Sequence, residues 1–340
     1  MTRLVLLATS PRVAAGLLSA TAWQALQSGP VYAVDLTTPL AAAVAAGGLE
    51  VRALAQPGSP QPAVRELVSA ADAAGAATFL IGADRGQPPA SEIAAAILEL
   101  TATRPDLDIE QIDGSWDLPG ARLLDVVATM DRLRSPGGCP WDAGQDHRSL
   151  APYLLEEAYE AFQAIEDDDS AALRDELGDV LLQVAFHARM AEELPPDRRW
   201  SIDDVASGLV DKLVRRHPHV FADSDVDGAE AVSANWETIK AAERGGASAL
   251  ASVPLAAPAL TLASTLQRKA ARAGLASSAP AAGAVAAAAK RFERAPSAES
   301  AGELLWAAVE AMRAVEIDPE AALRARARAF RDQAVADGVG

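Results

Sequence analysis

Leu154–Phe162 reads LLEEAYEAF, and fourteen residues beyond its end Glu176–Asp179 reads ELGD. The first stretch sets three carboxylates, Glu156, Glu157 and Glu160, inside an otherwise apolar run of nine residues. A solvated helix face explains such acids, and so does a cation that needs oxygen ligands. Glu157 and Glu160 are three apart, as are Glu176 and Asp179, so each pair lies on one side of its helix, one turn apart. The midpoint of Glu160 and Glu176 is residue 168, and so is the midpoint of Glu157 and Asp179, within the segment EDDDS. If the chain reverses there as a helical hairpin, rising roughly 1.5 Å per residue, Glu160 faces Glu176 and Glu157 faces Asp179 at equal depths.

Four carboxylates converging at one level repel each other, and loss of water makes the repulsion worse. A divalent cation between them removes both costs. The donors are hard oxygens with no cysteine or histidine among them, which points to Mg²⁺, with Mn²⁺ as a substitute, over zinc. The second helix argues against a merely solvated acidic stripe. Leu177, Val180, Leu181 and Val184 lie on one side of its acids, with Leu182 and Phe186 on the other, and a helix apolar nearly all round is expected to be buried. A di-iron bundle also lines its helices with glutamates but requires Glu-x-x-His. None of His147, His187, His217 and His219 has a glutamate three residues before it.

Outward from this hairpin, residues 1–115 alternate short β-like runs (LVLLA, VYAV, TFLIGAD, LDIEQI) with helical ones (Val13–Leu26, Pro39–Ala46, Ser91–Thr103), the rhythm of a small α/β domain. Neither GxGxxG nor GxxxxGK[ST] follows its first strand. Asp84, after TFLIG, reads as an ordinary turn residue, and this domain is assigned no activity. Residues 120–245 turn to helical periodicity, 246–262 look like a linker, and 263–335 are helical again, so the fold class is mainly α behind a small α/β domain.

The bulk numbers agree with an enzyme of this kind. A chain of 340 residues exceeds one ordinary core. Its formal net charge of -17 argues against general binding to nucleic acid or to a membrane surface. One cysteine, Cys139, excludes an internal disulfide and any multi-cysteine zinc site and fits a reducing cytoplasm. The opening MTRLVLLATSPRVAAGLL lacks the pattern of a secretory leader, and about 18 uninterrupted apolar residues occur nowhere, so no membrane span is expected.

The pattern EEAYE, a spacer, then ELGD closely resembles the MazG family of nucleoside triphosphate pyrophosphohydrolases. GGCPWD, LAPYLLEEAYE, ELGDVLLQVAFHARMAEE, DKLVRRHPHVF and NWETIK resemble that family in the expected order, across about Leu123 to Glu243. The resemblance implies an all-α fold working as a homodimer or higher oligomer. It also implies hydrolysis of a nucleoside triphosphate, (d)NTP, to the monophosphate and pyrophosphate in nucleotide-pool clean-up. Glu157, Glu160, Glu176 and Asp179 would then hold Mg²⁺. Glu156 points about 100° away from Glu157 around the helix and is better placed to orient water or a second ion than to complete the same cage. Lys212 and Arg216 share a helix face with Arg215 beside them; on their own they read as a basic helix end, and with the family match as a polyphosphate clamp. Trp236 in NWETIK would contact the base, and Lys240 one turn later is another phosphate candidate. Trp141 and Cys139 read as packing residues, and His187 as a satisfied core histidine.

The C-terminal part reads as a worn repeat of the same module. Ser300 falls where Glu176 stands, Glu303 where Asp179 stands, and AVAAAAKRF where the first acid pair is expected. Three of four ligand positions are lost, so only the central module is expected to hydrolyse nucleotide. The competing reading from another class is a regulatory module that binds nucleotide or metal without turnover.

Overall fold

The computed structural model describes residues 2–54, 59–83, 88–222, 228, 232, 236, 239, 242–243, 248–275 and 283–338. The chain divides into two compact units, Met1–Ala206 and Ser207–Gly340. It is mainly helical, with a parallel sheet at its start.

The sheet has the order β3-β2-β4-β1-β5, with every pairing parallel. Its strands are β1 (Thr2–Thr9), β2 (Val31–Ala33), β3 (Val51–Ala53), β4 (Ala76–Ala83) and β5 (Leu107–Asp113). A parallel sheet buried on both faces needs apolar residues at successive positions, and Leu4, Val5, Leu6 and Leu7 of the inner strand β1 are all fully buried. Leu4 and Leu6 turn to the face covered by α3 (Gln61–Ala74) and α4 (Ala90–Glu99), packing with Leu67, Phe79 and Ile97. Val5 and Leu7 turn to the other face, against α1 (Ala20–Gln27) and α2 (Pro39–Ala46), with Leu26 and Val44.

The helix expected over Val13–Leu26 is shorter than its apolar pattern. It starts at Ala20, where the Ser19 side chain accepts from the Ala22 N–H. Gly16 and Pro11 lie in the turns before it, residues that favour an irregular lead-in over a helix. Asp84 lies outside the described residues.

The helical part of the first unit comprises α5 (Leu123–Arg134), α6 (Pro140–Ala143), α7 (Ala151–Glu166) and α8 (Ser170–Ala191). Helices α5 and α8 share a small core of Met130, Leu150, Ala185, Phe186 and Met190. Ion pairs edge it: Arg134 meets Glu193 at 2.8 Å, and Arg189 meets Asp131 at 2.8 Å and Glu193 at 3.0 Å. Arg12, just past β1, joins the sheet to α5. Its nearly buried guanidinium pairs with Asp117 at 2.6 Å and Asp125 at 2.5 Å.

Helix α9 (Ile202–Arg216) runs across the division between the units. The second unit continues with α10 (Pro218–Phe221), α11 (Ala259–Arg272), α12 (Ala284–Arg294), α13 (Ala298–Arg313) and α14 (Pro319–Ala336). Gln267 Nε2 donates to the Trp306 carbonyl at 3.0 Å, tying α11 to α13. Among the described residues no helix is long and apolar enough to cross a membrane.

Removing a nearly buried cation strands its two partly exposed carboxylate partners. Arg12→Ala should therefore lower stability by about 2 kcal/mol. Urea unfolding followed by circular dichroism checks this; an unchanged midpoint contradicts the role given to Arg12.

Candidate functional site

The reversal between α7 and α8 is built by three consecutive aspartates. Asp167 ends α7. Asp168 adopts a left-handed conformation with φ 53°, which aspartate tolerates better than most residues. Asp169 then caps α8, its Oδ1 accepting from the N–H groups of Ala171 and Ala172 at 3.0 Å each.

This turn brings the acids of the two helices together. One oxygen from each of Glu157, Glu176 and Asp179 lies within 4.8 Å of the others. Glu160 stands outside that triad, but its charge acts on Glu176. Glu156 is exposed on α7, and its charge acts on Glu157. Loss of water pushes the Glu157 carboxyl above its usual range, and the charges of Asp179, Glu160, Glu156 and Glu176 push it further. Glu176 is raised in the same way, by desolvation first and then by Glu160 and Asp179. Among the described residues no lysine or arginine pairs with any of these five acids, the nearest bridge on α8 being Arg174 with Asp175 at 3.0 Å. A set of converging oxygen donors with raised proton affinity and no internal counter-charge fits a hard divalent cation.

The expected burial of this hairpin is not reached within one chain. Glu157 and Glu176 are half-buried, whereas Glu156, Glu160 and Asp179 are exposed. Leu155 and Leu177 beside them are 57% and 53% exposed. The physical reason is geometric: α8 turns its Ala185, Phe186 and Met190 side toward α5, and among the described residues of the first unit nothing buries Leu155 and Leu177 on the hairpin.

The basic residues lie in the second unit, on the last turns of α9. Lys212 and Arg215 are exposed and Arg216 is half-buried. Arg215 and Arg216 share one carboxylate, Glu243, at 2.7 Å and 2.6 Å. Hydrogen bonds from Arg216 and then Arg215 hold the Glu243 carboxyl down to about 2. The Arg216 guanidinium also lies 5.7 Å over the Trp236 ring, whose edge contact with His217 has a centroid distance of 4.6 Å. Lys240 lies outside the described residues. Sequence reasoning missed Glu243, since nothing in AAER marks it as the partner of arginines 27 and 28 positions earlier.

Two packing expectations need correction. His187 is not a satisfied core histidine: its Nδ1 meets His147 Nδ1 at 2.7 Å, but its buried Nε2 has no partner among the described residues. Trp141 is 54% exposed, so its ring covers the loop only in part, with an edge-on contact to Tyr153.

In the C-terminal part, α12 and α13 pack together, and Arg291 meets Glu303 at 2.8 Å. The guanidinium there neutralises the acid that the sequence sets against Asp179. Ser300 is the third residue of α13 and closes a capping box with Ser297, whereas Glu176 is the seventh residue of α8. The second hairpin therefore begins about one turn later relative to its acids, and Ser300 serves the helix end.

A helical hairpin with a convergent oxygen site on its facing helices defines the class of domain. A family model described as the MazG nucleotide pyrophosphohydrolase domain matches residues 145–221. The chain is 46% identical over 226 residues to an uncharacterized 26.1 kDa protein of Streptomyces cacaoi, spanning 66% of this chain and 86% of that one. It is 39% identical over 220 residues to the nucleoside triphosphate pyrophosphohydrolase/pyrophosphatase MazG of Thermotoga maritima, spanning 62% and 83%. It is 46% identical over 157 residues to the nucleoside triphosphate pyrophosphohydrolase of Escherichia coli K12, spanning 45% of this chain and 57% of that protein. The chain belongs to the MazG family.

Because Glu157 and Glu176 are raised above their ordinary value of 4.5, the folded chain holds protons there more tightly than the unfolded chain. Its metal-free stability should therefore fall as pH rises through and above the ordinary carboxylate range. Glu157→Gln should flatten that fall and raise the metal-free unfolding midpoint at pH 7, and it should remove the rise expected from added Mg²⁺ in the natural protein. Differential scanning calorimetry with and without chelator measures both; a midpoint unaffected by Mg²⁺ in the natural protein contradicts the site.

Proposed function

We propose that this chain is a magnesium-dependent nucleoside triphosphate pyrophosphohydrolase, converting (d)NTP to (d)NMP and pyrophosphate in cytoplasmic nucleotide-pool clean-up. The observation that carries this reading is the convergence of Glu157, Glu176 and Asp179 within 4.8 Å, with no cationic side chain among them. Membership of the MazG family supports it, since the Thermotoga maritima and Escherichia coli relatives bear the name of that activity.

Glu157, Glu160, Glu176 and Asp179 would hold the ion, Mg²⁺ or Mn²⁺. When bound, it would neutralise phosphate charge and make a coordinated water more acidic. Glu156, turned away from the triad, orients the attacking water and takes up its proton. Water oxygen joins the α-phosphorus, the bond from that phosphorus to the bridging oxygen breaks, and pyrophosphate leaves with the bonding pair. Lys212, Arg215 and Arg216 bind the polyphosphate tail and stabilise the charge on the leaving group. Lys240 adds a further phosphate contact, and Trp236 stacks on the base. Glu243 holds the arginines in place until phosphate oxygens replace it.

The catalytic module comprises residues 120–245, and the C-terminal repeat at 263–335 supports assembly. Tyr153, Leu155, Tyr159, Phe162 and Leu177 are exposed along the hairpin. An apolar strip beside a charged site is a surface that a second copy covers, which favours a homodimer or higher oligomer.

Incubation with a panel of nucleoside triphosphates and Mg²⁺, with products separated by anion exchange, should yield monophosphate and pyrophosphate. Orthophosphate with diphosphate would mean a different bond is cut, and tight binding without turnover would make the chain a regulatory module. Asp179→Asn should lower kcat by about a thousandfold or more with the fold intact. Glu243→Gln should lower KM by roughly threefold and leave kcat near the natural value, because it weakens a competitor for the arginines; a raised KM instead would make Glu243 a support for them.

A further inference from the structure

The sheet domain contains a cavity of about 720 Å³ that the hydrolytic reading does not use. It opens at the carboxyl ends of β1, β2 and β4, reached by Thr9 and Ser10, by Val34 and Asp35, and by Leu80 and Ile81. Its place follows from the winding of the chain. Strands β1 and β2 lead into α1 and α2 on one face, while β4, hydrogen-bonded between them, leads into α4 on the other. Connections leaving neighbouring strands for opposite faces open a crevice, the position where doubly wound sheets bind ligands. The volume suits one small organic molecule.

The chemistry of the walls narrows the ligand. Val34, Leu40, Leu80, Ile81 and Pro89 supply apolar surface suited to a flat ring. Arg12 also reaches the cavity, but Asp117 and Asp125 already meet its charge. Asp35, just past β2, is the one carboxylate among the described lining residues. Its Oδ1 accepts from the Thr37 N–H at 2.8 Å and the Thr37 hydroxyl at 2.7 Å. These two bonds fix the carboxylate and hold its proton affinity below the usual range. Among the described residues Oδ2 accepts no hydrogen bond. A fixed, ionised acceptor at the end of the second strand, beside an apolar slot, matches a ring carrying two adjacent hydroxyl donors.

We propose that this cavity binds a ribonucleoside moiety, its base between the apolar walls and its ribose 2′- and 3′-hydroxyls donated to the Asp35 carboxylate. The site is separate from the acid triad and needs no metal.

Isothermal titration of the full chain in the presence of chelator, with adenosine, guanosine, cytidine and uridine as probes, tests this. At least one should bind saturably. The 2′,3′-dideoxy form of the bound nucleoside, and the natural nucleoside on Asp35→Asn, should each bind about tenfold more weakly or worse. Pyrophosphate release by Asp35→Asn should stay unchanged, which certifies its fold. Trp236→Ala should keep the nucleoside affinity within about twofold, separating this cavity from any base contact at the hydrolytic site. Ala14→Trp, which adds bulk to the cavity lining, should abolish binding. Absence of binding by all four probes, equal binding of the dideoxy form, or loss of binding in Trp236→Ala overturns the proposal.

Discussion

Mutual repulsion among carboxylates is the constraint on which the central module turns. Glu157, Glu176 and Asp179 come from two helices and meet within 4.8 Å, with the charge of Glu160 acting on Glu176 beside them. Like charges at that spacing raise each other's proton affinity and oppose the fold. The three aspartates at the turn fix where the helices face each other, and a divalent cation bound there, as proposed, would convert the repulsion into a binding site. The C-terminal helices show the contrasting case: Glu303 meets the Arg291 guanidinium at 2.8 Å, so its charge is neutralised from within.

The same reasoning accounts for the basic group. Arg215 and Arg216 gather on Glu243, and Arg216 lies over Trp236. An arginine pair is costly to leave without an anion, and the fold supplies one of its own. If these arginines bind phosphate as proposed, substrate would compete with that carboxylate, and binding there would be an exchange of anions. Stacking of Arg216 on Trp236 keeps the guanidinium oriented while its partner changes.

Much of this was legible in the sequence for reasons of periodicity. The mirror about residue 168 located the turn, because equal spacing along two helices converts directly into equal depth. LVLLA and TFLIG were legible as buried strands because parallel sheets need apolar residues on both faces. Strand Val51–Ala53 and helix Gln61–Ala74 were not anticipated. The first has three residues, too few for a period, and the second starts among prolines that read as a turn. The start of α1 was hidden by apolar residues that continue before its serine cap. Exposure of the hairpin was illegible too, since sequence shows that a face is apolar but not what covers it. The Glu243 and Arg291 pairings join residues on different elements, and no local pattern signals such contacts.

The account therefore stands on an ion held between two helices. Crystals grown with Mn²⁺ and measured at its absorption edge test that claim most directly. An anomalous difference peak bounded by carboxylate oxygens of Glu157, Glu176 and Asp179 is the expected result. Density that places manganese elsewhere, or leaves that triad without a peak while its side chains spread into solvent, would contradict it.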